Sequence, residues 1–237
     1  PPRFATFLGY PCPMMLTAPD RFDLLVFDWD GTLMDSTAHI TTSIQRACAG
    51  LNLPVPDRRT ASHVIGLGLV DAMRYVCPNL PESRYQDMVE AYRQHYLAGD
   101  AGMVLFDDVF EALSAWREAG VLMAVATGKS RVGLDRALEA SGLVDFFAAT
   151  RTVDECPSKP HPQMLDDLTE DLGADKRRTL MVGDTTHDLL MAQHAGTWAV
   201  GVSYGAHPIA LLNEAQPLAI FDAFTPLQAW LAPRVGG

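Results

Sequence analysis

The sequence predicts an α/β fold: a parallel sheet covered by helices and interrupted once by a helical insertion. Three observations predict it. From Arg21 onward, short apolar runs alternate with stretches of helical periodicity, as strands joined by crossover helices do. Gly120, Gly142 and Gly196 stand where helices should stop, since glycine tolerates the left-handed backbone of a helix end. Between Ser36 and Leu105 the alternation lapses, and helical patterns occur without a convincing strand.

Taken in order, residues 1–20 are expected to form a tail. Pro1, Pro2, Pro11, Pro13 and Pro19 interrupt any helix, Arg3 is the one basic residue, and no unbroken apolar middle resembles a signal peptide. The Met14-Met15 pair offers a natural start of translation within it. Asp23 to Phe27 is the first strand. Thr37 to Gly50, Leu69 to Val76 and Glu82 to Ala98 are the helices of the insertion, assigned to 36–104. Its length, roughly seventy residues, is near the lower limit for a unit with its own core. Gly31 to Ser36 and the small-residue stretch Ala98-Gly99-Asp100-Ala101-Gly102 serve as outgoing and return hinges. The core resumes over 105–237, joining 21–35. Its strands are expected at Val121–Ala126, Phe146–Ala149, Thr179–Val182, Thr197–Val202 and, more weakly, Leu218–Phe221. Its helices are expected at Asp108–Ala119, Arg131–Ala140, Pro162–Leu172, Thr186–Ala195 and Pro208–Ala215, with Asp107 or Asp108 as N-cap of the first.

Charge and composition narrow the function. A formal net charge of -11 repels nucleic acid and anionic membranes at long range, so an anionic substrate must be captured by a local site. No apolar run approaches the ~18 residues of a membrane helix. Cys12, Cys48, Cys77 and Cys156 lack CxxC spacing, so reduced thiols in a cytoplasmic protein are expected rather than a zinc site or disulfides. The spacing of His161, His187 and His194 gives no recognisable metal set. Lys176-Arg177-Arg178 reads as a solvated turn before a strand.

Ligands of open parallel sheets bind beyond the carboxyl ends of the strands. The polar residues that directly follow apolar runs are Asp28 and Asp30, Thr127-Gly128-Lys129, and Gly183-Asp184 with Asp188; Lys159 lies in the loop before the last of them. Clustered carboxylates at the end of a buried strand need a hard cation, and oxygen ligands with open water positions favour magnesium. A lysine and a hydroxyl beside that cation can hold a phosphoryl group. One carboxylate can then attack phosphorus while another protonates the leaving oxygen. Lys129 and Arg131 read equally well as substrate contacts or as a positive surface near a helix start.

The stretches DWDGTLMDS, VATGKS, SKPHP and VGDTTHD resemble, in order, the four motifs of the haloacid dehalogenase superfamily. The helical insertion after the first resembles its C1 cap, and the subgroup most resembled, from about Phe22 to Phe224, is that of phosphoglycolate phosphatase. The resemblance implies a Rossmann-like core with Asp28 as nucleophile and Asp30 as general acid and later base. It implies Mg2+ held by the Asp28 carboxylate, the Asp30 backbone carbonyl and Asp184, with Asp188 behind them on a metal water or on Lys159. Thr127, Gly128 and Lys159 would hold the phosphoryl group, and Gly66-Leu67-Gly68 would form the cap's substrate loop. Dehalogenases of the family lack an acid two residues after the nucleophile, so Asp30 favours phosphate esters. The expected activity is hydrolysis of a small phosphorylated metabolite, first 2-phosphoglycolate, by a monomer or homodimer without nucleic-acid or membrane partners. Sugar phosphates, nucleoside monophosphates or pyrophosphate as substrates, phosphoryl mutase chemistry, and a phosphate-sensing protein without turnover are the alternatives. The segment Leu105-Phe106-Asp107-Asp108-Val109 departs from the family's usual Tyr-Pro-Gly-Val, which leaves the hinge geometry open.

Overall fold

The computed structural model describes residues 18–99 and 102–236; most of the tail, Cys12 and part of the return hinge lie outside them. Six parallel strands form one sheet in the order β3-β2-β1-β4-β5-β6: β1 (Leu24–Phe27), β2 (Leu122–Ala126), β3 (Ala149–Arg151), β4 (Thr179–Gly183), β5 (Trp198–Val202) and β6 (Ile220–Phe221). The chain fills one side through β2 and β3, then returns past β1 to build the other. The crevice of such a sheet opens where the order reverses, beside β1.

β1 is wholly buried and alternates its side chains between two cores. Leu25 and Phe27 face one with Leu113, Trp116 and Phe224. Leu24 and Val26 face the other with Met164, Leu168 and Leu189. The crossover helices are α5 (Val109–Glu118), α6 (Arg131–Ser141), α7 (Gln163–Asp171), α8 (Thr186–Ala195) and α9 (Ile209–Glu214), followed by α10 (Phe224–Leu231). Four helices of the insertion, α1 (Thr37–Gly50), α2 (Arg58–His63), α3 (Leu69–Val76) and α4 (Tyr85–Leu97), bury a third cluster around Ile44, Met73 and Met88. The segments that leave and re-enter the sheet region meet in an antiparallel bridge, Met34 to Leu105, where Asp35 N–H donates to the Val104 carbonyl at 2.9 Å.

Several local expectations need correction. The third strand begins at Ala149, not Phe146, because Phe146 and Phe147 pack against the core from the preceding turn, Phe146 against Phe110. The strand itself is a half-buried edge carrying Thr150 and Arg151, which no apolar run announces. Asp108 occupies the N-cap position of α5 but does not cap it: its φ is 65° and its carboxylate accepts from the Thr225 hydroxyl instead. Two helices went unread. α2 is short and opened by Asp57, which accepts from Thr60 N–H at 2.7 Å; α10 carries Pro226 in its first turn, where the missing donor costs nothing. Among the described residues no helix is long and apolar enough to cross a membrane, and Cys48, Cys77 and Cys156 are buried free thiols.

Candidate active site

Asp28 is the residue after β1, its N–H donating to the Val182 carbonyl of β4 at 3.0 Å. The chain then turns sharply: the Trp29 carbonyl accepts from Leu33 and Met34 N–H, and Gly31 takes a φ of 83°, which only glycine adopts cheaply. The turn presses on Asp184 at the end of β4. A β-carbon on Gly31 would lie 2.2 Å from Asp184 Oδ2, and one on Gly205 would lie 2.3 Å from the same oxygen. Asp184 is held by the Thr32 hydroxyl at 2.8 Å on one oxygen and by Ala206 N–H at 2.7 Å on the other.

Helix α8 starts with a capping box in which Asp188 accepts from Thr185 N–H and Oγ1 at 3.1 and 2.7 Å. That points its other oxygen inward to Lys159, whose Nζ lies 2.7 Å from Asp188 Oδ1 and 2.8 Å from Asp28 Oδ1. All four groups, Asp28, Lys159, Asp184 and Asp188, are buried. Burial pushes the Asp28 carboxyl up to about 7 against the pull of Lys159, and Asp188 adds to the rise. Asp184 is likewise driven well above the carboxylate range by burial, Asp28 and Asp188. Burial works against the Lys159 ammonium, yet Asp188 and Asp28 hold it above its ordinary value.

Three carboxylates offer oxygen atoms within 4.8 Å of one another, those of Asp28, Asp184 and Asp188. Lys159 supplies one positive charge to this group, and Asp28 sits beside it without hydrogen-bond alignment: neither of its buried oxygens has a hydrogen-bond partner. A hard divalent cation fits this donor set on two counts, the all-oxygen chemistry and the orphaned Asp28 oxygens.

Asp30 faces a different environment. Its carboxylate accepts from the Ser36 hydroxyl at 2.7 Å and from Lys129 Nζ, 3.0 Å from each of its oxygens. Lys129 also donates to Tyr96 Oη of α4 at 2.9 Å. Thr127, buried after β2, accepts from Lys129 N–H through Oγ1, which leaves its hydroxyl hydrogen to donate. Arg131 instead joins a surface network with Glu155, Asp135 and Thr150.

The insertion lies directly over this rim. Gly66 has a φ of 91°, and a β-carbon there would lie 3.8 Å from Asp28 Oδ2. On Gly128 a β-carbon would fall 2.5 Å from the carbonyl oxygens of both Gly66 and Leu67, so the loop rests on a bare backbone. Gly68 N–H donates to Ser158 Oγ at 2.8 Å, next to Lys159 in the chain. Two histidine rings fasten the same loop region: His187 and His207 place Nε2 at 2.9 and 3.0 Å from the His63 carbonyl. His207 Nδ1 accepts from Thr186 N–H, so its ring hydrogen is on Nε2, and burial lowers its pKa to about 4. His161 Nδ1 accepts from Gln163 N–H, and His194 Nδ1 lies 2.8 Å from the Pro160 carbonyl, tying α8 to the loop that carries Lys159.

Sequence reasoning missed Thr32, Ser36, Tyr96, His63 and His207. Thr32 and Ser36 lie within the first motif, where a hydroxyl two and six residues after Asp30 was the available signal. The other three come from across the seam between insertion and sheet, which no local pattern marks.

The chain is a doubly wound α/β protein with an acidic centre beside β1 and a helical insertion over it. The chain belongs to the haloacid dehalogenase-like hydrolase family, whose sequence profile matches residues 25–202. It is 39% identical over 209 residues to the probable phosphatase IndB of Dickeya dadantii (strain 3937), covering 85% of this chain and 90% of that protein. It is 30% identical to a phosphoglycolate phosphatase of Agrobacterium fabrum (strain C58 / ATCC 33970), covering 90% of this chain and 93% of that one. The crystal structure of a predicted phosphoglycolate phosphatase from Haemophilus somnus 129pt superposes with a TM-score of 0.76 at 29% identity, over 88% of this chain and 97% of that one.

Proposed function

We propose that the protein is a magnesium-dependent phosphatase of small phosphomonoesters that works through an aspartyl-phosphate on Asp28, with 2-phosphoglycolate the first candidate substrate. The observation that carries this reading is the buried Asp28 carboxylate, unpaired by hydrogen bonds yet 2.8 Å from Lys159 and clustered with Asp184. Asp28, the Asp30 carbonyl and Asp184 would hold Mg2+, with Asp188 holding Lys159. The ion, when bound, neutralises the carboxylates and the phosphoryl oxygens so that anion can approach anion.

In this reading an Asp28 oxygen attacks phosphorus as the ester bond breaks, and Asp30 gives its proton to the leaving alkoxide. Lys159 and the Thr127 hydroxyl hold the phosphoryl oxygens, and the closed loop at Gly66 excludes bulk water until the alcohol is free. Asp30, now a carboxylate, takes a proton from a water that attacks phosphorus and releases Asp28. The helices of 36–104 act as a cap, pivoting where Asp35 and Val104 meet.

The test is phosphate release from 2-phosphoglycolate and acetyl phosphate, with Mg2+ or with a chelator. Release with Mg2+, lost on chelation and in Asp28→Asn, is expected. No release from either compound would leave a sensor without turnover, and isomerisation driven by a bisphosphate activator would instead make the protein a mutase.

A further inference from the structure

The site contains a second, partly buried ammonium, that of Lys129, which the steps above leave without a role. Lys129 has a side chain 10% exposed, and its Nζ lies 3.0 Å from both oxygens of Asp30, 2.9 Å from Tyr96 Oη and 5.0 Å from the Tyr96 ring centre. Tyr96 can accept from it because its own hydroxyl hydrogen goes to Met103 Sδ, at 3.7 Å. Asp30 and Tyr96 thus engage two of the three N–H donors of the ammonium.

Position fixes what the third can meet. A leaving oxygen that takes a proton from Asp30 must lie within hydrogen-bond reach of its carboxyl, hence within two hydrogen bonds, about 6 Å at most, of Lys129 Nζ. The Gly66 and Leu67 carbonyls lie against Gly128, the residue before Lys129, so the insertion borders this space. A partly desolvated cation there favours an anion strongly, in a protein whose net charge of -11 otherwise repels one.

Resting on the phosphatase reading, we infer that Lys129 is a specificity-determining residue: it receives a second anionic group, a carboxylate or phosphate one or two atoms beyond the ester oxygen. The substrates are then short phosphomonoesters or anhydrides whose leaving group carries its own negative charge. Tyr96, on α4, holds the ammonium in place when the cap is closed.

The experiment compares kcat/KM for 2-phosphoglycolate with that for its neutral, same-sized amide, phosphoglycolamide, in the wild type, Lys129→Met and Lys129→Arg; acetyl phosphate reports general turnover. Loss of the Lys129 contact with Asp30 affects both esters alike and cancels in the ratio. The wild type is expected to favour the carboxylate by about ten- to hundredfold, mainly through KM. Lys129→Met should bring the ratio to within about threefold of one, while Lys129→Arg keeps a preference. A wild-type ratio near one, with acetyl phosphate still hydrolysed, overturns the Lys129 assignment alone; this needs no variant to fold. A ratio unchanged in Lys129→Met overturns it equally. Absence of turnover of all three compounds by the wild type overturns the phosphatase reading and the inference with it.

Discussion

At Gly128 the backbone of the sheet region meets the backbone of the Gly66–Leu67 loop of the insertion, and no side chain can give way between them. Alanine there would put a methyl carbon within 2.5 Å of two carbonyl oxygens, so the loop must lift from the rim. Gly128→Ala is expected to lower kcat/KM by about tenfold or more, because loop displacements far smaller than a residue already disturb catalytic geometry. Steady-state kinetics check this, and an unchanged kcat/KM would show that the loop does not need this contact for turnover. Asp184 follows the same logic on the other side, clasped between Gly31 and Gly205 so that neither oxygen has freedom to rotate away.

The N-terminus of α8 links element stability to the site. Thr185 accepts from Asp188 N–H and donates to Asp188 Oδ2, and the same carboxylate holds Lys159. Thr185→Ala is expected to cost about 1 kcal/mol in a denaturant melt, as helix caps do. It should also reduce kcat, since Asp188 loses one of the two donors that aim it and keeps only the backbone N–H. A stability loss without any change in kcat would separate the cap from the site. The strands that carry Asp28, Thr127 and Asp184 were legible in the sequence because each is an apolar run cut short by a polar residue. Lys159 was legible only through its motif. β3 was misplaced because its two phenylalanines are spent on packing rather than pairing. The Lys129–Asp30 pair spans 99 residues of chain, and Tyr96 reaches Lys129 from a helix outside the sheet. Such contacts arise from folding the insertion back over the rim, which periodicity does not encode.

On the scale of the whole molecule, two packed sheet faces and a separate helical cluster enclose a buried acidic centre. Burial drives Asp28 and Asp184 upward, so a bound cation should stabilise the folded protein by relieving like charges. Mg2+ is expected to raise the melting temperature by a few degrees, roughly what 1 kcal/mol gives a chain of this size. Asp184→Asn should lose that rise; an equal rise in the variant would place the ion elsewhere. The decisive measurement is acid quenching during turnover of a phosphorus-labelled substrate, followed by peptide mapping. Label is expected on Asp28, and none on the Asp28→Asn protein. Turnover with no labelled protein, or with the label on another residue, would contradict Asp28 as the nucleophile.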